Sequence, residues 1–240
     1  MDQTSSLAPL VRRWSSYTEL SDEDRNAIQR LPFAERIAPR ESYLVREGEP
    51  TTSCMVLLKG FAYRQKLVTD GARQIISFHI PGEFIDLQNA ILDVSDHNVQ
   101  ALTRTQLAVV PKPALLEIMA ARPAVRRAIW LETLIDASIF REWVVNVGRR
   151  DARTRIAHLL CELVLRLRRS GEAERSVWEF PITQEQIADA TGLTPVHTNR
   201  TLQSLRRDGL ITLANGELSV LDWEKLAETG DFNERYLHHS

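Results

Sequence analysis

Only two cysteines occur in 240 residues, Cys54 and Cys161, far apart and without C-x-x-C spacing. That excludes a disulfide framework and an iron–sulfur site built from four local cysteines. Both thiols are expected to be buried and reduced, as in a cytoplasmic protein. No HxH or HExxH pair occurs, so His79, His97, His158 and His197 lack metal-site spacing. No GxxxxGK[ST] loop is present to cradle a phosphate. An enzyme is therefore not expected, and neither a catalytic residue, a metal nor a cofactor is assigned. No run is long and apolar enough to cross a bilayer, and residues 1–6 show no basic region leading into an apolar core. A soluble chain without a membrane partner is expected. An excess of one charge is also missing: 30 Lys+Arg against 32 Asp+Glu leave a net charge of −2, which at first sight argues against a nucleic-acid partner.

That average hides a local concentration. Between residues 148 and 169 stand Arg149, Arg150, Arg153, Arg155, Arg166, Arg168 and Arg169, opposed only by Asp151 and Glu162. Arg200, Arg206 and Arg207 follow. A phosphate backbone responds to local field rather than to net charge, although Arg166, Arg168 and Arg169 fit a solvated helix face equally well. The segment 183–202 carries the most information. Thr183 and Gln186 form a capping box, Ile187 and Ala190 give the first helix an apolar side, and Gly192 suits the positive φ that ends it. Thr194 then serves as N-cap and Pro195 as first helical residue. In the second helix Thr198, Leu202 and Leu205 face inward, while Val196, Asn199, Arg200 and Gln203 share the outer face. The pattern is a helix-turn-helix, a motif that lays its second helix in the major groove of double-stranded DNA. A short hairpin around Asn215-Gly216 follows as a wing.

The length favours more than one domain. Residues 1–20 read as a mobile arm. A helix capped by Ser21 comes next, with acids in its first turn and Ile28 and Leu31 inward, stopping at Pro32. From Pro39 to Pro111 short β segments at 43–45, 55–58, 61–63 and 74–78 alternate with turn signals, as in an all-β barrel or roll. Residues 124–148 lack proline and carry glycine only at the end. They predict one long helix with two apolar faces, one for the β domain and one for a second subunit. Leu131, Ile135 and Ile139 are the candidate dimer residues. Another helix starts near Asp151 and leads through the polar segment 170–176 to the helix-turn-helix.

This order, β-roll, long helix and winged helix-turn-helix, resembles the Crp/Fnr family of bacterial transcription regulators over nearly the whole chain. The matching motifs are 182–211, Gly148-Arg149-Arg150-Asp151-Ala152-Arg153 and Pro81-Gly82-Glu83-Phe84-Ile85. The resemblance implies an α+β, multidomain fold: arm 1–20, cyclic-nucleotide-binding-like β-roll (jelly roll) 21–122, dimerisation helix 123–148 and winged helix-turn-helix 149–240. It implies a homodimer on a palindromic promoter site, with RNA polymerase as a further partner. Family members that bind cyclic AMP use a Gly-Glu pair for the ribose and an Arg-Ser pair for the cyclic phosphate. Here those pairs fall on Asp86-Leu87 and His97-Asn98. Histidine is a poor substitute for an always-charged guanidinium, so cyclic AMP is not expected to bind. The cysteine cluster of oxygen-sensing members is also missing. Asp86, Gln88, His97 and Asn98 remain as a candidate effector pocket. An unknown ligand and control by abundance alone stand as alternatives, and a cupin-like ligand-binding protein is a more distant one. The resemblance places base contacts at Val196, Asn199 and Arg200, and phosphate contacts at Thr183, Thr194 and His197, at helix starts where backbone N–H groups attract anions.

Overall fold

The computed structural model describes residues 6–172 and 176–238; of the polar segment 170–176, residues 173–175 lie outside it. The chain forms two compact units. One holds the residues up to Lys66 together with Ser77–Ala137; the other holds Leu67–Ile76 and Ser138–Leu237.

Between residues 34 and 111 the strands are β1 (Ala34–Ala38), β2 (Tyr43–Val45), β3 (Ser53–Lys59), β4 (Ala62–Leu67), β5 (Arg73–His79), β6 (Asn98–Ala101) and β7 (Thr105–Pro111). They make two sheets, ordered β1-β7-β3 and β2-β6-β4-β5. Central β7 pairs antiparallel with both neighbours, Ala108 standing opposite Glu35 on one side and Val56 on the other. Strand alternation divides the core in two. Met55, Leu57 and Leu107 join Val99, Ala101 and Ile85 in one apolar cluster. Cys54, Val56, Leu58, Ala108 and Val110 point the other way, into a second cluster with helical residues. Those residues come from α1 (Ala8–Ser15), α2 (Asp22–Gln29), α3 (Lys112–Ala121) and the start of α4 (Pro123–Arg149).

Two expectations change here. The residues read as a mobile arm contain α1, whose Leu7 cap residue, Leu10 and Trp14 are fully buried. The Trp14 indole stacks on Phe84 with centroids 5.9 Å apart and donates to Glu132 of α4. Arg13 ties the same carboxylate at 2.9 Å and reaches Glu83 at 3.0 Å. Tertiary contact, which local propensity does not reveal, holds this short helix. The second change concerns α4. It spans the expected residues, but Ile135 and Ile139 are only 4% and 5% exposed within the single chain, and Leu131 is half-buried. The solvent-facing apolar residues of α4 are Trp130, Leu134, Val144 and Val145. The apolar period located two stripes, but the stripe chosen for a partner is the one the chain covers itself.

The second unit is built on α5 (Ala152–Leu167), which is buried along most of its length. Asp151 caps it by accepting from the Thr154 N–H at 2.9 Å, and that bond holds the Asp151 carboxyl below its ordinary pKa. Against α5 pack α6 (Gln184–Thr191), α7 (Pro195–Arg207) and α8 (Trp223–Thr229). Strands β8 (Val177–Glu179), β9 (Ile211–Ala214) and β10 (Glu217–Val220) form a sheet ordered β8-β10-β9. The wing therefore has three strands rather than the expected two, because Trp178 pairs with Leu218 from the far side of the helix-turn-helix.

Candidate nucleic-acid interface

The two helices of the motif are fixed by their ends. Thr183 and Gln186 satisfy each other's backbone N–H groups, at 2.9 and 3.2 Å. The first helix stops at Gly192, which takes φ 65° and ψ 37°; a left-handed residue here lets the chain turn at little steric cost. Two residues later Thr194 caps α7, its hydroxyl accepting from the His197 N–H at 3.3 Å. Arg155 of α5 reaches across to the Thr191 carbonyl at 3.0 Å and so braces the turn.

The inner face of α7 is set by Thr198, Leu202 and Leu205, all fully buried. The opposite face carries Val196, 63% exposed, with Arg200 and Gln203, also exposed. Asn199 lies beside them, half-buried. Thr183, Thr194 and His197 are exposed, each at or next to a helix start. Beside Arg200 lies a concavity of about 480 Å³ lined by Asp151, Arg153, His197, Arg200, Thr201 and Ser204. It joins the start of α5 to the outer face of α7. Arg153, which donates to Ser204 at 2.6 Å and pairs with Asp208 at 2.8 Å, fixes that junction. Ser204 and Asp151 carry no sequence signal for this placement, since they are brought here by the packing of α5 on α7. The wing closes through Asn215 and Gly216, whose φ values of 54° and 76° are those of a type I′ hairpin.

The arginine-rich segment 148–169 does not form one basic surface. Arg150 pairs with Glu142 and Asp231, Arg166 with the fully buried Glu162, and Arg169 with Glu234. Arg168 lies over the rings of Trp178 and Trp223, at 5.0 and 4.6 Å from their centroids. Neutralising partners more than 60 residues away in sequence, such as Asp231 and Glu234, cannot be anticipated from a local charge count.

Of the residues expected in an effector pocket, Gln88 and His97 meet, while Asn98 and Asp86 each bond to backbone elsewhere in the roll. Gln88 Nε2 lies 3.1 Å from His97 Nε2, and Asp96 takes His97 Nδ1 at 2.7 Å. Burial, reinforced by the positive charge of Arg64, lowers the His97 pKa. Asn98 accepts from the Glu47 N–H at 3.1 Å, and Asp86 from the Met55 N–H at 2.7 Å. Arg64, itself buried, donates to Asp136 at 2.9 Å and to the Ile85 carbonyl at 3.2 Å. Among the described residues no cluster of three or more His, Cys, Asp or Glu is arranged to hold a metal ion, and no helix is long and apolar enough to cross a membrane.

A capped helix-turn-helix with a β-wing, following a β-roll and a long helix, defines a DNA-binding transcription regulator. The Crp-like helix-turn-helix domain matches residues 154–229 and the cyclic nucleotide-binding domain matches residues 35–122. The nitrogen fixation regulation protein FixK of Bradyrhizobium diazoefficiens is 33% identical over 177 residues, 73% of each chain. The transcriptional activator protein FnrL of Cereibacter sphaeroides is 27% identical over 211 residues, covering 83% of this chain and 84% of that one. Among solved structures, FixK2 from Bradyrhizobium japonicum superposes with a TM-score of 0.76 at 24% identity, covering 83% of this chain and 98% of that one. The chain belongs to the Crp/Fnr family of transcription regulators. It is a double-stranded-DNA-binding regulator, not an enzyme.

Proposed function

We propose that this protein works as a homodimer in the cytoplasm, reads a palindromic promoter site through two copies of α7, engages RNA polymerase there, and needs no cyclic nucleotide to do so. The observation that carries the reading is the outer face of α7: Arg200 stands exposed one helical turn from Val196, over a helix whose inner face is locked by Thr198, Leu202 and Leu205. Arginine pairs bidentately with guanine O6 and N7, asparagine with adenine N6 and N7, and valine suits a thymine methyl. Thr183, Thr194 and His197 supply phosphate contacts at helix starts. Activation is the favoured outcome, since relatives such as FnrL and Anr are named transcriptional activators.

Control without a cyclic nucleotide is supported by the roll. A cyclic phosphate needs a cation, but the side chain at that position, His97, is buried and biased toward its neutral form. A ribose hydroxyl needs a polar partner, but Leu87 stands at that position. A ligand shifts an equilibrium only by binding one state better than the other. Fluorescence anisotropy on a promoter palindrome, titrated with and without cyclic AMP, tests the reading. Salt-sensitive binding that cyclic AMP leaves unchanged is expected. Binding that appears only with the nucleotide would overturn it.

A further inference from the structure

One end of the β-roll holds a cavity of about 220 Å³, lined by β2, β3 and the turn after Phe84. At about 30 Å³ per water it has room for roughly seven waters, the size of a small metabolite rather than of a nucleotide. Its lining is polar and uneven. Asp86 and Asn89, each 1% exposed, contribute carboxyl and amide groups. The Met55 N–H donates to one Asp86 oxygen at 2.7 Å, and the Asn89 side-chain amide also donates to the carboxyl, so that the two side chains form one joined acceptor group. Asn89 Oδ1 has no hydrogen-bond partner. A buried acceptor left unmet is costly, and in native proteins such groups are nearly always satisfied, by protein, water or ligand. Two exposed arginines line the same cavity. Arg36 is steadied by the Tyr43 carbonyl at 3.1 Å, and Arg46 lies 4.1 Å over the Tyr43 ring.

Buried acceptors and arginines around one small space call for a ligand that is a donor at one end and an anion at the other. We propose that this cavity binds a small zwitterion of the free α-amino acid class, its ammonium group held by Asp86 and Asn89 and its carboxylate by Arg36 and Arg46. Glu49, also in the lining, disfavours a second negative charge, so monocarboxylic amino acids fit best. The site is separate from the Gln88–His97 pair, and it stands whether or not α7 reads DNA as proposed above.

The test is titration calorimetry on the full chain with L-alanine, L-serine, L-valine and L-leucine, each compared with its N-acetyl and methyl-ester forms. At least one free amino acid should bind at one per chain with Kd below about 1 mM, and removing either the ammonium or the carboxylate charge should weaken it about tenfold or more. Asp86→Asn keeps an oxygen for the Met55 N–H, and Arg46→Ala alters an exposed side chain. Both should keep the wild-type circular-dichroism spectrum and a cooperative melt, and each should weaken binding about tenfold or more. No heat from any of the four, which would mean that water alone fills the cavity, overturns the proposal. So does binding that the capped forms share, or that both variants retain.

Discussion

Arginine serves opposite ends in this chain, and the carboxylate within reach decides which. Arg150 and Arg166 are held by Glu142, Asp231 and Glu162 and brace the second unit, whereas Arg200 projects from the outer face of α7. The identity of Arg200 as an outward residue was legible, because a 3.6-residue period fixes its face once Leu202 and Leu205 are inward. The fate of Arg150 was not, because its partner Asp231 is 81 residues away. Buried titratable groups make a second residue-scale prediction. Burial raises the Asp86 carboxyl to about 7 from an ordinary 3.8. The folded state then holds this proton more tightly than the unfolded one, so the stability it lends is present below about pH 4 and is lost as pH rises through about 7. Burial lowers His79 to about 4 from 6.5. Its contribution has the opposite sense: present above about 6.5 and lost as pH falls toward 4. Asp86→Asn should therefore gain stability over wild type as pH goes from 5 to 8, on the order of 1–4 kcal/mol, read by urea unfolding at the two pH values. A difference that does not vary with pH would show that Asp86 does not titrate this way.

At the scale of elements, what was legible depended on whether the cause was local. The caps at Ser21, Thr183 and Thr194 and the turn at Gly192 involve neighbours within a few residues, and the structure has each of them. Helix α1 was hidden because eight residues are too few to be stable alone; it exists through Trp14, Leu10 and the shared carboxylate of Glu132. Strand β8 was hidden because its three residues gain a partner only when β10 arrives 40 residues later in the chain. Two substitutions separate these causes. Trp14→Ala empties a fully buried site and should cost about 3–5 kcal/mol, measured by thermal or urea unfolding. Thr194→Ala removes only a cap and should cost about 1 kcal/mol, while weakening DNA binding through the loss of its hydroxyl at the start of α7.

At the scale of the whole molecule the question is what covers the exposed face of α4. Periodicity announced two apolar stripes but could not say which of them the chain would bury itself. The structure assigns Ile135 and Ile139 to its own core and leaves Trp130, Leu134, Val144 and Val145 facing solvent. Large apolar side chains exposed together are unusual on a monomer, and two-fold homodimers are the commonest oligomer. Leu134→Glu should therefore dissociate dimers into folded monomers that bind the palindrome weakly. Ile135→Glu, one residue along, should instead destabilise the fold by burying an unpaired charge. Sedimentation velocity with circular dichroism distinguishes them. If Leu134→Glu remains a tight dimer, the partner face lies elsewhere.

Whether α7 reads DNA through Arg200 is decided by the affinity of wild type and Arg200→Ala for every single-base variant of the operator at fixed salt. Arg200→Ala should lose about 1–3 kcal/mol per bidentate contact on the best site, with preference relaxed at one position in each half-site and kept at the others. If two copies bind as the proposed dimer, their half-sites should lie about 34–36 Å apart or a multiple of it. If Arg200→Ala instead binds all variants more weakly by the same factor, with its sequence profile intact, Arg200 is a phosphate contact and another face of the domain reads the bases.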